Sequence, residues 1–159
     1  MHEQTLKKTF RNDTNVELGK FTVVKPASAN FTDGMAVPGA ANDPVLGVLQ
    51  ESILPDNVMD YSGGQYNIVS GTAWPANSVP SSGSGLAATV QMSGISRCVA
   101  SAAITRWDTV NIADNQGRVK TVSEAATTLI NVVGKALEAA TAAGDVIRVL
   151  LLCGTTYKN

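Results

Sequence analysis

Paired carboxylates are the residues of this chain whose types and spacing could support catalysis. Glu51 lies close in sequence to Asp56 and Asp60, and Asp108 lies close to Asp114. Two carboxyl groups flanking a scissile bond can act as acid and base in glycoside hydrolysis. Acidic residues at such positions are also typical of turns and solvent-facing sites, and we favour that interpretation here.

Other catalytic chemistry has little support in the sequence. The single histidine is His2, so a Ser-His-Asp or Cys-His arrangement would need the N-terminus to fold into a site. Cys98 and Cys153 lack partners at zinc-binding spacing and do not form a disulfide framework, so we expect buried free thiols. No segment has the spacing of a phosphate-binding loop. We therefore expect no catalytic residues, no metal site and no cofactor, and we predict that the protein is not an enzyme.

The composition argues against several classes of partner. The chain has 159 residues, a formal net charge of −1 and only 16% charged residues. This balance gives no electrostatic footprint for nucleic acid or for an anionic membrane. No stretch approaches the ~20 apolar residues of a membrane helix. A weakly charged chain of this kind has surface suited to docking or self-association.

Short β-rich segments separated by turn signals recur along the chain. Strands spaced by ~8–12 residues are typical of sandwiches and barrels. Residues 1–18 are polar and are predicted as an extended N-terminal arm, with residues 19–159 as a single β domain. Residues 53–85 are rich in Gly, Ser, Asn and Pro and are predicted as a long aromatic-bearing loop, in which QYNIV could form one strand. We therefore predict an all-β fold, a small β-barrel or β-sandwich with this arm and this loop.

The C-terminal segment LINVVGKALEAATAAGDVIRVLLLCG is compatible with a helix or with a hairpin. Residues 135–143 include good helix formers, but a helix of that length is marginal without a packed face. Gly144 can adopt positive φ, and a two-residue loop of Gly144 and Asp145 fits a type II′ turn. The sequence favours strand, turn and strand, and leaves open a helical turn within residues 135–143.

Two stretches of the chain show weak internal similarity. Residues 36–52 are AVPGAANDPVLGVLQES, and residues 121–139 are TVSEAATTLINVVGKALEA. Each contains Val, an Ala-Ala pair, apolar residues, then Gly and a short strand, and each follows a strand and a turn. This similarity indicates two related β units in one barrel, although coincidence in an Ala-rich chain explains it about as well.

The order of small motifs in the C-terminal half resembles that of the capsid cement, or head-decoration, proteins of tailed bacteriophages. The family pattern has a strand ending in Gly, an Ile-Thr step, Asp-x-Val, a turn, a Val-x-Gly-x-Ala-Leu step and a Gly-Asp turn before the last strand. The matching positions are Gly94, Ile104, Thr105, Asp108, Val110, Gly117, Val119, Gly134, Ala136, Leu137, Gly144, Asp145, Val149 and Leu151. The family often has Gly where this chain has Trp107.

The resemblance implies a β module that binds the outer surface of an assembled phage capsid and cements the head by bridging major capsid protein subunits. Such proteins commonly sit as trimers where capsomers meet, and an extended arm often reaches a neighbour. The implied partners are therefore the major capsid protein and copies of this chain, with no nucleic acid and no membrane. The implied location is the virion surface, after assembly in the host cytoplasm.

The predicted contacts are aromatic and basic residues of the arm and the loop, together with Trp107 in the later part of the β domain, and aromatic residues are enriched at binding hot spots. The predicted capsid or subunit interface consists of Lys7, Lys8, Phe10, Arg11, Tyr61, Tyr66, Trp74 and Trp107. The alternative is a carbohydrate- or cell-surface-binding β module, in which the Tyr and Trp residues of this set stack on sugars. A glycoside-cleaving enzyme built on the paired carboxylates is a weaker third hypothesis.

Overall fold

The structure, a computed structural model, describes residues 5–14, 18–27, 32–53, 58–62, 65–69, 87–123 and 129–157. Every regular element within these ranges is a β-strand, which confirms the all-β prediction. The strands are β1 (Lys7–Asn12), β2 (Val23–Ala27), β3 (Gly34–Ala36), β4 (Gly47–Leu49), β5 (Val58–Ser62), β6 (Gln65–Val69), β7 (Ala87–Gln91), β8 (Gly94–Val99), β9 (Thr109–Ile112), β10 (Val119–Thr121), β11 (Leu129–Ala136) and β12 (Val146–Tyr157). Within the described ranges, no helix has the length and apolarity needed to cross a bilayer.

The first barrel contains five strands in the order β1-β3-β2-β4-β7, and pairing of β1 with β7 closes it. The predicted arm of residues 1–18 therefore differs from the structure, since its residues 7–12 form barrel strand β1. Phe10 is 8% exposed and packs in the core of this barrel. Lys7 and Lys8, at the start of the strand, are exposed. The polar half of β1 resembles an arm in sequence, while its other half and its main-chain pairing belong to the barrel.

Five further strands form a sheet in the order β10-β9-β11-β12-β8, which we call the second barrel because one isolated bridge joins its edges. A parallel bridge joins Ala100, directly after β8, to Val119 of β10 and so brings the two edges of the sheet together. Buried aliphatic side chains fill its interior. They include Val110, Ile112, Val133, Ile147 and Val149.

The two barrels are copies of one motif. Strands β1, β2, β3, β4 and β7 correspond in order to β8, β9, β10, β11 and β12, and they pair with the same neighbours in the same directions. The parallel contact between β1 and β3 has its counterpart in the bridge from Ala100 to Val119. The β5 and β6 hairpin is an insertion between the fourth and fifth strands of the first copy.

The strand register repeats as well. Val24 lies opposite Gly47 in the first barrel, and Val110 lies opposite Gly134 in the second. A Cβ on either glycine would collide with a main-chain carbonyl oxygen of the next strand. The similar stretches AVPGAANDPVLGVLQES and TVSEAATTLINVVGKALEA therefore belong to a structural repeat, with one unit in each barrel and not two units in one barrel.

Two valines on the outer face of the first barrel join the barrels. Val23 and Val48 lie opposite each other on β2 and β4, and both are fully buried among core residues of the second barrel. Main-chain hydrogen bonds add to this contact. The Val23 N–H donates to the Gly117 oxygen (2.7 Å), and the Val99 N–H donates to the Phe21 oxygen (3.2 Å). We call this contact the barrel junction.

Strands β11 and β12 form the C-terminal hairpin that the sequence favours, and none of residues 135–143 is helical. The turn differs from the expected one. The Asp145 N–H donates to the Ala142 oxygen (3.4 Å), so Gly144 is the third residue of a four-residue turn. Its φ of 92° at that position is typical of a type II turn. The type II turn lies within a longer loop, which replaces the predicted two-residue type II′ loop.

The insertion at residues 53–85 contains a two-stranded hairpin made of β5 and β6. The sequence predicted QYNIV as one strand, which is β6, and missed β5. Ser62 lies opposite Gln65, with the sequence pair Gly63-Gly64 between them. A Gly-Gly pair between two β-rich runs is itself a hairpin signal, and it identifies both strands.

We expect Gly134→Ala to lower the free energy of unfolding by about 1–3 kcal/mol, as overpacking of a close contact does. The added Cβ would collide with the Leu150 carbonyl oxygen in the partner strand. Gly39→Ala is the matched control, because a Cβ there meets its nearest atom at ordinary contact distance. Urea unfolding measures both variants, and equal stability would contradict the close approach of β11 and β12.

Asp145 predicts a pH dependence of stability. Its carboxylate accepts hydrogen bonds from the Thr141 N–H (2.7 Å), the Thr141 hydroxyl (2.9 Å) and the Ala142 N–H (3.0 Å). The main-chain bond from Thr141, followed by that from Ala142, lowers the pKa of Asp145. A lowered folded-state pKa stabilises the fold above the unfolded-state pKa, and this contribution is lost as the pH falls through the folded-state pKa.

We therefore expect Asp145→Asn to have a lower Tm than the wild type at neutral pH. The difference should narrow on acidification, because the wild-type carboxylate then becomes neutral too. Thermal unfolding followed by circular dichroism across the acid range measures this difference. A constant difference at every pH would show that the charge of Asp145 makes no contribution.

Candidate interaction site

Each barrel has a tight turn just before its second strand. The Phe21 turn comprises residues 18–22 (LGKFT), and the Trp107 turn comprises residues 104–108 (ITRWD). The two turns occupy equivalent positions in the repeat, and both are closed by a main-chain hydrogen bond. The closing bonds run from the Thr22 N–H to the Gly19 oxygen (3.4 Å) and from the Asp108 N–H to the Thr105 oxygen (3.1 Å).

The aromatic residue of each turn has an unusual backbone conformation. Phe21 has a φ of 66° and Trp107 a φ of 74°, and no other non-glycine residue in the described ranges has positive φ. Each is the third of the four residues that its closing hydrogen bond spans, residues 19–22 and 105–108, where a type II turn normally has Gly. For an L-residue this conformation costs about 1–2 kcal/mol. Backbone strain of this kind concentrates at functional sites, so the two aromatics are the candidate site residues.

Hydrogen bonds fix the Trp107 turn against the second barrel. The Trp107 N–H donates to the Ala136 oxygen (2.7 Å), and the Ala136 N–H donates to the Asp108 oxygen (3.0 Å). The Asp108 carboxylate accepts from the Thr105 N–H (3.1 Å) and from the Thr121 hydroxyl (2.8 Å). The main chain that carries the indole is therefore held on both sides by the barrel.

A cation lies over each aromatic ring, but the two rings differ in exposure. The Arg106 guanidinium carbon is 5.3 Å from the Trp107 ring centroid, and Trp107 is 56% exposed. The Lys20 Nζ is 4.8 Å from the Phe21 centroid, and Arg97 of the second barrel lies 5.8 Å from the same ring. Phe21 is half-buried at the barrel junction, whereas Trp107 is open to solvent. Trp107 and Arg106 thus form an anchor of the kind found at binding hot spots.

The structure gives the predicted contacts of β1 different roles. Lys7 and Lys8 are exposed, as a contact surface needs. The Lys8 Nζ lies 5.3 Å from the Phe10 ring centroid, yet Phe10 itself is a core residue and not a surface contact. Arg11 is half-buried and lies 3.6 Å from the Asp33 carboxylate. Of this group, Lys7 and Lys8 are the side chains open to a partner.

The predicted contacts of the insertion are only partly described. Tyr61 and Tyr66 are paired directly opposite each other across β5 and β6. Trp74 and Asp56 lie outside the described residues, and of Asp60 only the strand position is described. The structure therefore brings Tyr61 and Tyr66 together in the hairpin, and their role in binding stays a prediction.

The carboxylates considered for acid–base catalysis serve turns and strand ends where they are described. Asp114 pairs with Arg118 at 2.6 Å within the turn before β10. Glu51 accepts a hydrogen bond from the Thr89 N–H at 3.0 Å. Asp108 holds the Trp107 turn, as described above. Each of these carboxylates has a structural role of the kind favoured by the sequence.

The two cysteines are free thiols as expected, and the expected burial holds fully for Cys98 and in part for Cys153. Cys98 is fully buried, and burial raises the pKa of its thiol. Cys153 is half-buried, and burial raises the pKa of its thiol as well. Among the described residues, no three His, Cys, Asp or Glu side chains are grouped as a metal ion would require.

Sequence reasoning missed the Phe21 turn. The signal was the shared pattern of LGKFT and ITRWD, in which an aliphatic residue is followed by a spacer, a basic residue and an aromatic residue. The run KFTVVK, which begins at Lys20, instead predicts a strand that includes Phe21, because Phe and Val are common in β-strands. Aligning the two turns would have paired Phe21 with Trp107 and Lys20 with Arg106.

Comparison with known proteins gives a structural match. No protein-family model and no curated protein matches the sequence. The crystal structure of the N base of head fiber gp8.5 of bacteriophage phi29 matches with a TM-score of 0.57 and 12% identity, covering 96% of this chain and 98% of that chain. The two chains share a fold. Because nearly all of this chain is aligned, the shared fold includes both barrels.

We expect Trp107→Gly to leave the free energy of unfolding within about 1 kcal/mol of the wild type, since Gly adopts positive φ without strain but is more flexible when unfolded. Removal of a core Trp would instead cost about 3–5 kcal/mol. Urea unfolding distinguishes these cases. The control is Ile112→Ala, because Ile112 is fully buried in the core of the second barrel and its truncation removes core packing. A loss from Trp107→Gly as large as that control's would mean that the indole is a packing residue.

Proposed function

We propose that this chain is a non-enzymatic structural protein of a bacteriophage head, which binds the outer capsid surface and stabilises the head by bridging major capsid protein subunits. The observation that carries the proposal is the fold shared with the phi29 head-fiber base over nearly the whole of both chains. The motif order of residues 86–152, which resembles that of cement proteins, supports the same assignment from the sequence.

The proposed mechanism needs binding and no chemistry. A protein that binds the expanded shell and not its precursor stabilises the expanded shell by mass action. Many equivalent copies on one head would sum modest binding energies into resistance to the pressure of packaged DNA. In this proposal the protein joins heads in the host cytoplasm and remains on the outside of the virion, as copies that form trimers.

The proposed contact surface combines the exposed predicted residues that the structure describes. Trp107 supplies a rigid aromatic anchor with Arg106 over its ring. Lys7 and Lys8 supply exposed cations at the start of β1. A large aromatic on a fixed main chain loses little conformational entropy on binding, which favours it as a hot spot.

We expect the purified protein to co-sediment with expanded heads from a phage that encodes it, assembled without it, and to appear as regular protrusions by electron microscopy. Trp107→Ala should weaken this binding by about 2 kcal/mol, roughly thirtyfold in Kd, as loss of a hot-spot residue does. A Lys7→Gln, Lys8→Gln variant should bind more weakly, with the largest effect at low ionic strength.

Val146→Ala is the matched control, because Val146 is an exposed apolar residue of the same barrel outside the predicted interface. Its binding should equal that of the wild type. Failure of the folded wild-type protein to bind heads would overturn the proposal. Glycan-array binding together with that failure would support the carbohydrate-binding alternative.

A further inference from the structure

A cavity of about 340 Å³, open to solvent, lies at the barrel junction. Both copies of the repeat contribute to its lining. The residues that matter are Lys20, Phe21, Gln50 and Gln91 from the first barrel, and Arg97 and Arg148 from the second. We call it the junction pocket, and it exists only because the two barrels are packed together.

The pocket carries more positive than negative charge. Arg148 is paired with Glu138, with 2.6 Å between its Nε and a carboxylate oxygen. The Arg148 N–H and then its guanidinium lower the pKa of Glu138, and the charge of Arg97 lowers it further, which keeps the Arg148 and Glu138 pair ionised. Lys20 and Arg97 both lie at the Phe21 ring, and within the described residues neither forms a salt bridge. Lys20 and Arg97 are therefore the two lining cations without a carboxylate in direct contact, although Arg97 also acts on Glu138 at longer range.

The amides of the pocket offer acceptors and not donors. Gln50 Nε2 donates to the Val48 oxygen and to the Ser96 hydroxyl, each at 3.0 Å. Gln91 Nε2 donates to the oxygens of Ser93 (3.0 Å) and Ile95 (2.8 Å). A primary amide has two N–H donors, so both are used in each side chain, and each amide can offer a ligand its carbonyl oxygen alone. Gln50 is half-buried and Gln91 is 3% exposed, so the Gln50 oxygen is the more accessible acceptor.

A ligand that suits this lining has one negative charge beside N–H donors. A carboxylate on a peptide backbone has both, because the peptide N–H groups can donate to the glutamine oxygens. A phosphate dianion has acceptors only, so its oxygens would face the two glutamine carbonyl oxygens without a donor between them. The composition of the pocket therefore favours an acidic peptide segment over a phosphate group.

We propose that the junction pocket binds an acidic side chain presented by a segment of a partner protein. Its carboxylate pairs with the cations of Lys20 and Arg97, and its neighbouring N–H groups donate to Gln50 and Gln91. This proposal does not depend on the virion function, because it needs only the chemistry of the partner segment.

The repeat supplies an internal control for the pocket. The second barrel has Arg106 where the first has Lys20, and both cations lie over the aromatic residue of their turn. In the first barrel the second cation, Arg97, comes from the copy that follows in the chain. Within the described residues, no further copy places a cation at Trp107 in this way. Arg106 therefore has the same position over an aromatic ring as Lys20, but it does not line the junction pocket.

The test is a titration of the full-length protein with a short Glu-Gly peptide, followed by NMR of backbone and side-chain amides. We expect shifts of the Gln50 and Gln91 side-chain amides and of the Ser96 and Arg97 backbone amides. Arg97→Gln and Lys20→Gln should each weaken binding by about tenfold, the value of one charge-assisted hydrogen bond. The dispersion of the spectra shows that each variant is folded.

Three comparisons make the result decisive. A Gln-Gly peptide should cause no shifts, inorganic phosphate should bind more weakly than the Glu-Gly peptide, and Arg106→Gln should bind that peptide like the wild type. Absence of binding, shifts that map away from the junction, or equal losses for Arg106→Gln and Arg97→Gln would overturn the proposal. Tighter binding of phosphate would assign the pocket to a phosphate group instead.

Discussion

The arrangement of the two barrels depends on the burial of Val23 and Val48 in the core of the second barrel. Full burial of a valine side chain stabilises a fold by about 1.5–3 kcal/mol relative to exposure. The corresponding residues of the second barrel are Thr109 and Lys135, and the Lys135 Nζ donates to the Thr109 hydroxyl (3.3 Å). The same surface of the motif is thus apolar on the first barrel, where the second barrel covers it, and polar on the second barrel.

The residues retained in both copies are those that the main chain requires. Gly47 and Gly134 stand where a partner strand leaves no room for a Cβ. Glu51 and Glu138 each accept a main-chain N–H of the adjacent strand at 3.0 Å. Core positions need only be apolar and of similar volume, so their identities can differ between the copies. This is why the repeat is weak in sequence and clear in strand order and register.

The strands and the all-β class were predictable because alternation and turn residues are local signals. Closure of the first barrel was not, because the exposed half of β1, with Lys7 and Lys8, carries no strand pattern, and its pairing with β7 joins distant parts of the chain. Phe21 shows a second limit. Its residue type favours a strand, yet tertiary contacts place it at positive φ in a turn. Trp107 was singled out for its type and because the family pattern often has Gly at its position, and the structure adds its positive φ.

The comparison of Phe21 with Trp107 indicates how the second turn can act. In the first copy, the strained aromatic lies against a neighbouring barrel, whose Val99 N–H donates to the Phe21 oxygen and whose Arg97 lies over the ring. Glycine would adopt the same backbone without strain in both turns. An aromatic is therefore useful at the first turn for the contact it makes.

The second turn has the same closing hydrogen bond and its own cation, but its ring is exposed and its sequence neighbours Arg106 and Asp108 are polar. A surface of this kind favours reversible, hydrated contact over permanent burial, because the polar groups beside the ring remain satisfied by water when no partner is present. A reversible interface with a partner protein would need this combination, in which a rigid aromatic anchor, Trp107, is flanked by polar residues.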